Sequence, residues 1–76
     1  MIENMEMNYK QQDREHILSY LKTHPVSTVD VIIQESGAER LRVYPILFEL
    51  SQEKIIRVVE ESEWGAPVMV ELIAEK

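Results

Sequence analysis

The sequence has no cysteine, only two glycines, and a single phenylalanine and tryptophan. Without cysteine there can be no disulfide and no thiolate metal cluster. No window approaches the roughly 18 apolar residues that would span a bilayer. The amino terminus, MIENMEMNYKQQ, lacks a cationic segment followed by an apolar run, so it does not read as a secretory signal. The expected address is therefore the cytoplasm, with no membrane partner. There is no glycine-rich phosphate loop, nucleophile elbow or Cys–His pair. Catalysis is not expected, no catalytic residue is nominated, and neither a cofactor nor a metal is implied.

Cations are also scarce. Eight Lys and Arg face fourteen Asp and Glu, giving a net charge of −6 and a pI near 4.8. Nucleic-acid affinity is driven largely by cations meeting phosphates, so this balance counts against DNA, although a local patch can outweigh a total. Apolar residues make up 45% of the 76 positions, normal for a folded domain. A chain this short forms one domain and buries only about 60–65% of its unfolded surface. Oligomerisation is the readiest further source of burial, and a homodimer is expected.

The stretch around which the chain is organised is GAERLRVYPILFEL, residues 37–50. Val43, Ile46, Leu47 and Leu50 fall at i, i+3, i+4 and i+7, one apolar stripe of a helix. Pro45 lacks an N–H and is comfortable only near a helix start. Regular helix is therefore expected from about Arg42, with a kink if it begins sooner.

Upstream, a first helix is expected from about Asn8 or Asp13 to Thr23, burying Ile17, Leu18 and Leu21. Asp13 is a suitable N-cap, and His24-Pro25 closes the helix. Residues 1–8 read either as a frayed terminus or as a dimerisation extension, with Ile2, Met5 and Tyr9 at helical spacing. Ser27 with Asp30 resembles a capping box, and Val26 with Val31 a hydrophobic staple, at the start of a second helix. That helix carries Val29, Val31, Ile32 and Ile33 and stops at Gly37. Its apolar residues cover more than one face, so it is either central to the core or also touches a partner chain. Ile55–Glu61 and Val68–Ala74 read as strands joined by the turn formers of residues 62–67. The expected fold is α+β, a winged helix-turn-helix over residues 1–76, with three helices and a two-stranded β-hairpin wing.

The run GAERLRVYPILFELSQEKIIRV resembles the winged-helix part of PadR-type transcriptional regulators of bacteria and archaea. The positions that carry the likeness are Tyr44-Pro45, Leu47, Leu50, the exit Glu53-Lys54-Ile55-Ile56, and loosely Trp64-Gly65-Ala66-Pro67 in the wing turn. The similarity covers about residues 13–74 through short, common motifs, and it implies fold more than function. Three positions depart from the pattern. Lys54 stands where glycine is usual and would need a positive φ, costing roughly 1 kcal/mol. The wing carries Glu60, Glu61, Glu63 and Glu71 against Arg57 alone. The sequence ends at Lys76 without that type's long C-terminal dimerisation helices, so a dimer is expected to use the N-terminal segment or the second helix.

The face of the third helix opposite its core stripe holds Leu41, Arg42, Pro45, Phe48 and Glu49, with Tyr44 on one flank. The resemblance implies DNA binding there. Arg40 and Arg42 suit guanine edges or phosphates, and Tyr44 can donate to a phosphate. Leu41, Pro45 and Phe48, with Trp64 in the wing, form an apolar strip of the kind that marks a protein contact. The bland alternative packs Phe48 under the wing and Leu41 under the second helix. Two functions are thus open: a small transcriptional regulator binding double-stranded DNA, or an acidic module for protein interaction or self-association.

His16, Tyr20 and His24 lie at i, i+4 and i+8. The two histidines stand roughly 12 Å apart along a helix, too far to share one metal. Asp13 with His16 is a two-ligand fragment that nothing completes. Glu60-Glu61-Ser62-Glu63 reads as a solvated acidic tip that would repel DNA or attract a basic partner.

Overall fold

The computed structural model describes residues 2–74, with side chains from residue 9 onward. Its elements run α1 (Ile2–Thr23), β1 (Val26–Thr28), α2 (Val29–Ser36), α3 (Arg40–Gln52), β2 (Ile56–Glu61) and β3 (Pro67–Leu72). The fold is α+β, with three helices against an antiparallel sheet of order β1-β3-β2. The sheet has three strands, which corrects the expected two-stranded hairpin.

The unforeseen strand is β1. Its Val26, Ser27 and Thr28 pair with Glu71, Val70 and Met69, and the Leu72 N–H donates to the Pro25 carbonyl at 2.7 Å. Three residues are too few to display a period of two, and Val-Ser-Thr also reads as a helix entry. Pairing with β3 overrides that local signal. The N-cap is accordingly Thr28 rather than Ser27, its Oγ1 accepting from the Val31 N–H at 3.3 Å. Ser27 is buried and donates to the Thr28 carbonyl at 3.1 Å. The expected staple positions shift as well, since Thr28 as N-cap puts Ser27 rather than Val26 at N′ and Ile32 rather than Val31 at N4.

The helix α1 begins at Ile2, well before Asn8, so Asp13 is not an N-cap but a buried residue in mid-helix. The side chains of Ile2 and Met5 lie outside the described residues. The helix closes at Thr23 as expected, where the His24 N–H and the Thr23 hydroxyl both donate to the Tyr20 carbonyl. The helix α2 buries Val29 and Ile32, leaves Val31 exposed, and ends on Gly37 at φ 75°, whose N–H reaches the Ile33 carbonyl at 3.2 Å. A side chain at that left-handed position would be strained.

In α3 the stripe holds as read: Val43, Ile46, Leu47 and Leu50 are all buried. They meet Ile17 and Leu21 of α1, Ile32 of α2, and Ile55, Ile56 and Val70 of the sheet side in one core cluster. The helix begins at Arg40, two residues sooner than the proline suggested. Pro45 therefore sits beyond the first turn and leaves the Leu41 carbonyl without its i+4 donor. Leu41 is 86% exposed, so water can serve that carbonyl.

The exit from α3 is a Schellman turn. The Ile55 N–H donates to the Leu50 carbonyl at 2.9 Å and the Lys54 N–H to the Ser51 carbonyl at 3.0 Å, with Leu50 and Ile55 both buried. Lys54 takes φ 63°, as the resemblance implies. The strain of roughly 1 kcal/mol is offset by the two capped carbonyls and the apolar contact. This turn sets the direction in which β2 leaves α3. The β2–β3 ladder then shows register irregularities between Val58 and Glu60 and between Glu60 and Glu61.

Candidate interaction face on the third helix

The start of α3 carries the two arginines nominated for DNA. The Arg40 guanidinium lies 3.2 Å from Asp30 Oδ1 and donates to the Tyr44 hydroxyl at 3.3 Å. The Arg42 Nε lies 2.6 Å from Asp13 Oδ2, and its Nη1 lies 3.0 Å from Glu39 Oε1. The Arg42 guanidinium also stands 5.8 Å from the centre of the Tyr9 ring. Both pKa values are raised, Arg40 first by its hydrogen bond to Tyr44 and then by Asp30, Arg42 first by its hydrogen bond to Asp13. The structure thus brings Arg40 and Tyr44 together beside Asp30, but turns Arg42 away to Asp13 and Glu39.

These pairs differ in kind. Arg40 and Asp30 are exposed, and such a pair contributes little and opens readily. Asp13 is only 7% exposed, and a carboxylate in that position needs its cation. Arg42 is thereby a structural bolt between α1 and α3. It is not alone there. Lys10 Nζ lies 2.7 Å from Glu49 Oε2, and Arg14 lies 2.8 Å from Glu53 Oε1 and 3.7 Å from Glu49 Oε1. The sequence carries a signal for this seam that went unread: Lys10 and Arg14 are spaced i, i+4, and so are Glu49 and Glu53. Asp13 suits an N-cap in sequence, and its role as a partner of Arg42 follows only from the docking of α1 on α3.

On the other side, α3 and the hairpin frame an apolar groove of about 610 Å³. Its walls include Tyr44, Pro45 and Phe48 from α3 and Val58, Ala66 and Pro67 from the hairpin, with Glu61 on its edge. Phe48 is 65% exposed and Leu41, one turn beyond Pro45, is almost fully so. Neither is packed away under the wing or α2. Pro45 is exposed as well, so the strip expected on α3 is open along its length.

Trp64 completes this face from the turn after β2 and is 91% exposed. The turn is held by Ser62, whose Oγ accepts from the Trp64 and Ala66 N–H groups at 3.2 Å each. The Ser62 N–H donates to the Ala66 carbonyl at 2.9 Å and the Gly65 N–H to the Ser62 carbonyl at 3.0 Å, with Gly65 at φ 86°. A tied turn therefore presents the indole outward, next to Gly65 of the groove wall. Sequence reasoning found the turn formers but not the part played by the Ser62 hydroxyl.

The hairpin's acids contrast with those around the arginines. Among the described residues, Glu60, Glu61 and Glu63 have no cation within 4.0 Å, and Arg57 is engaged by Glu71 at 2.8 Å. Every arginine is ion-paired, and the described cations without an acid are Lys22 and Lys54. The free charge on this side is negative.

Elsewhere, the His24 ring stacks on Tyr20 at 4.5 Å between centroids and lies 2.9 Å from Thr23 Oγ1, while His16 is exposed. Among the described residues no three His, Asp or Glu side chains gather in a way that could hold a metal ion. No described helix is long and apolar enough to cross a membrane. No protein-family model matches the chain, and neither curated proteins nor solved structures give a match.

Proposed function

We propose that the chain is a winged-helix domain that works as a protein-interaction module through the α3–hairpin face. The winged-helix part is supported by the order α1-β1-α2-α3-β2-β3, with α2, Gly37 and α3 as the helix-turn-helix and β2–β3 as the wing. The interaction part rests on one observation: Phe48 stands exposed in the wall of an apolar groove, with Leu41 exposed on the same helix and Trp64 exposed next in the chain to Gly65 of the groove wall. Exposed aromatic and aliphatic side chains beside a preformed groove are the anchors of protein recognition.

DNA binding by a transcriptional regulator is the competing reading. It is supported by Arg40 and Tyr44, which lie together at the exposed start of α3. A phosphate at Arg40 would meet Asp30, and one at Arg42 would meet Asp13 and Glu39. Fluorescence anisotropy with mixed-sequence duplexes at about 50 mM salt separates the two readings. The proposal expects no binding. It also expects proteins captured from an extract to be lost with Leu41→Asp or Phe48→Asp and kept with Arg40→Ala. Salt-steep duplex binding that Arg40→Ala removes would overturn it. A homodimer through the N-terminal turns of α1 or through α2 is part of the same proposal, and light scattering showing a monomer at high protein concentration would remove it.

A further inference from the structure

Resting on that reading, we propose that the occupant of the α3–hairpin groove is an arginine-bearing peptide segment whose bulky apolar anchor enters the groove beside Phe48. Three observations narrow the occupant. The groove walls are apolar, so the inserted group is a hydrophobic side chain. Glu61 lines the groove without a cation of its own, and Glu60 and Glu63, its near neighbours in the hairpin, are likewise unpaired, so the flanking charge of the partner is positive. Trp64 follows Glu63 in the chain and is 91% exposed, and a guanidinium matches an open indole beside carboxylates better than an ammonium. It stacks flat on the ring while donating in bidentate fashion to a carboxylate.

The alternatives fit less well. A second copy of this chain would bring the same unpaired acids and a charge of −6 against them, and its arginines are already engaged by its own carboxylates. Nucleic acid and anionic lipid meet the wrong sign at the hairpin. Addition of a strand along β2 is disfavoured by its irregular register between Val58 and Glu61, which blunts the edge for main-chain pairing. Recognition therefore runs through side chains: the anchor into the groove, the arginine onto Trp64 and the acids.

A random-peptide display selection on the full 76-residue chain tests this, followed by titration of the enriched peptides against Trp64 emission. Trp64 is the one tryptophan, so the signal reports this face directly. Enriched peptides should pair arginine with Phe, Leu or Trp and shift the emission to the blue. Each arginine→lysine change in the peptide should weaken binding about two- to fivefold, and Glu60→Lys, Glu61→Lys and Glu63→Lys combined by roughly tenfold or more. Phe48→Asp should abolish it. All these positions are exposed, and an unchanged melting curve for each variant certifies its fold. Neutral or acidic peptides that are lost with Phe48→Asp would overturn the arginine assignment and leave the interaction face standing. No enrichment, or enriched peptides indifferent to Phe48→Asp and Leu41→Asp, would overturn both.

Discussion

The two flanks of α3 are built on opposite principles. Towards α1 the helix is closed by charge: Arg42 with Asp13, and Glu49 and Glu53 with Lys10 and Arg14. Towards the hairpin it is left open, with Leu41, Pro45 and Phe48 in water and acids that lack cations. Cations on one side tie α3 to α1, and apolar groups on the other stand exposed. The lesson is that arginines at the start of a helix such as α3 are not by themselves evidence of DNA reading. What decides is which carboxylate each guanidinium already holds: buried Asp13 fixes Arg42, whereas exposed Asp30 holds Arg40 only loosely.

Substitutions can break this contrast, and their effects should fall in a definite order. The largest belongs to the stripe that both flanks share. Ile46→Ala should cost about 2–5 kcal/mol, enough to leave a domain of this size largely unfolded in a denaturant titration. Asp13→Ala comes next, because it removes the bolt between α1 and α3 and leaves Arg42 only its exposed pair with Glu39; circular dichroism should show the melting point falling by about 5–10 °C. Lys10→Ala combined with Arg14→Ala removes only exposed pairs, and a fall of about 1–4 °C is expected. Phe48→Asp should be nearly silent, within about 2 °C of the parent, because the side chain supports nothing in the isolated chain. A Phe48→Asp variant that melted as low as Asp13→Ala would erase the distinction between the flanks.

Much of this frame was legible in the residues. Val43, Ile46, Leu47 and Leu50 announced the inner face of α3 through helical spacing and Gly37 announced the end of α2, whereas the positive φ of Lys54 was implied only by the resemblance, which has glycine there. The apolar strip was legible too, since Leu41, Pro45 and Phe48 sit opposite that stripe. Two features were not. The strand β1 is three residues long and gains its pairing from β3, more than forty positions away, so no local pattern declares it. The partners of Arg42 and Arg40, Asp13 and Asp30, come from other helices. Sequence gives a residue's type and face, but a long-range ion pair exists only once the helices are docked.

Amide chemical-shift mapping of the chain with an enriched arginine peptide is the most direct test of the contrast. The account predicts shifts gathered at Tyr44, Phe48, Val58, Trp64 and Gly65, with Asp13 and Arg42 unmoved. Shifts centred on Arg40 and Arg42, with the hairpin unchanged, would contradict it.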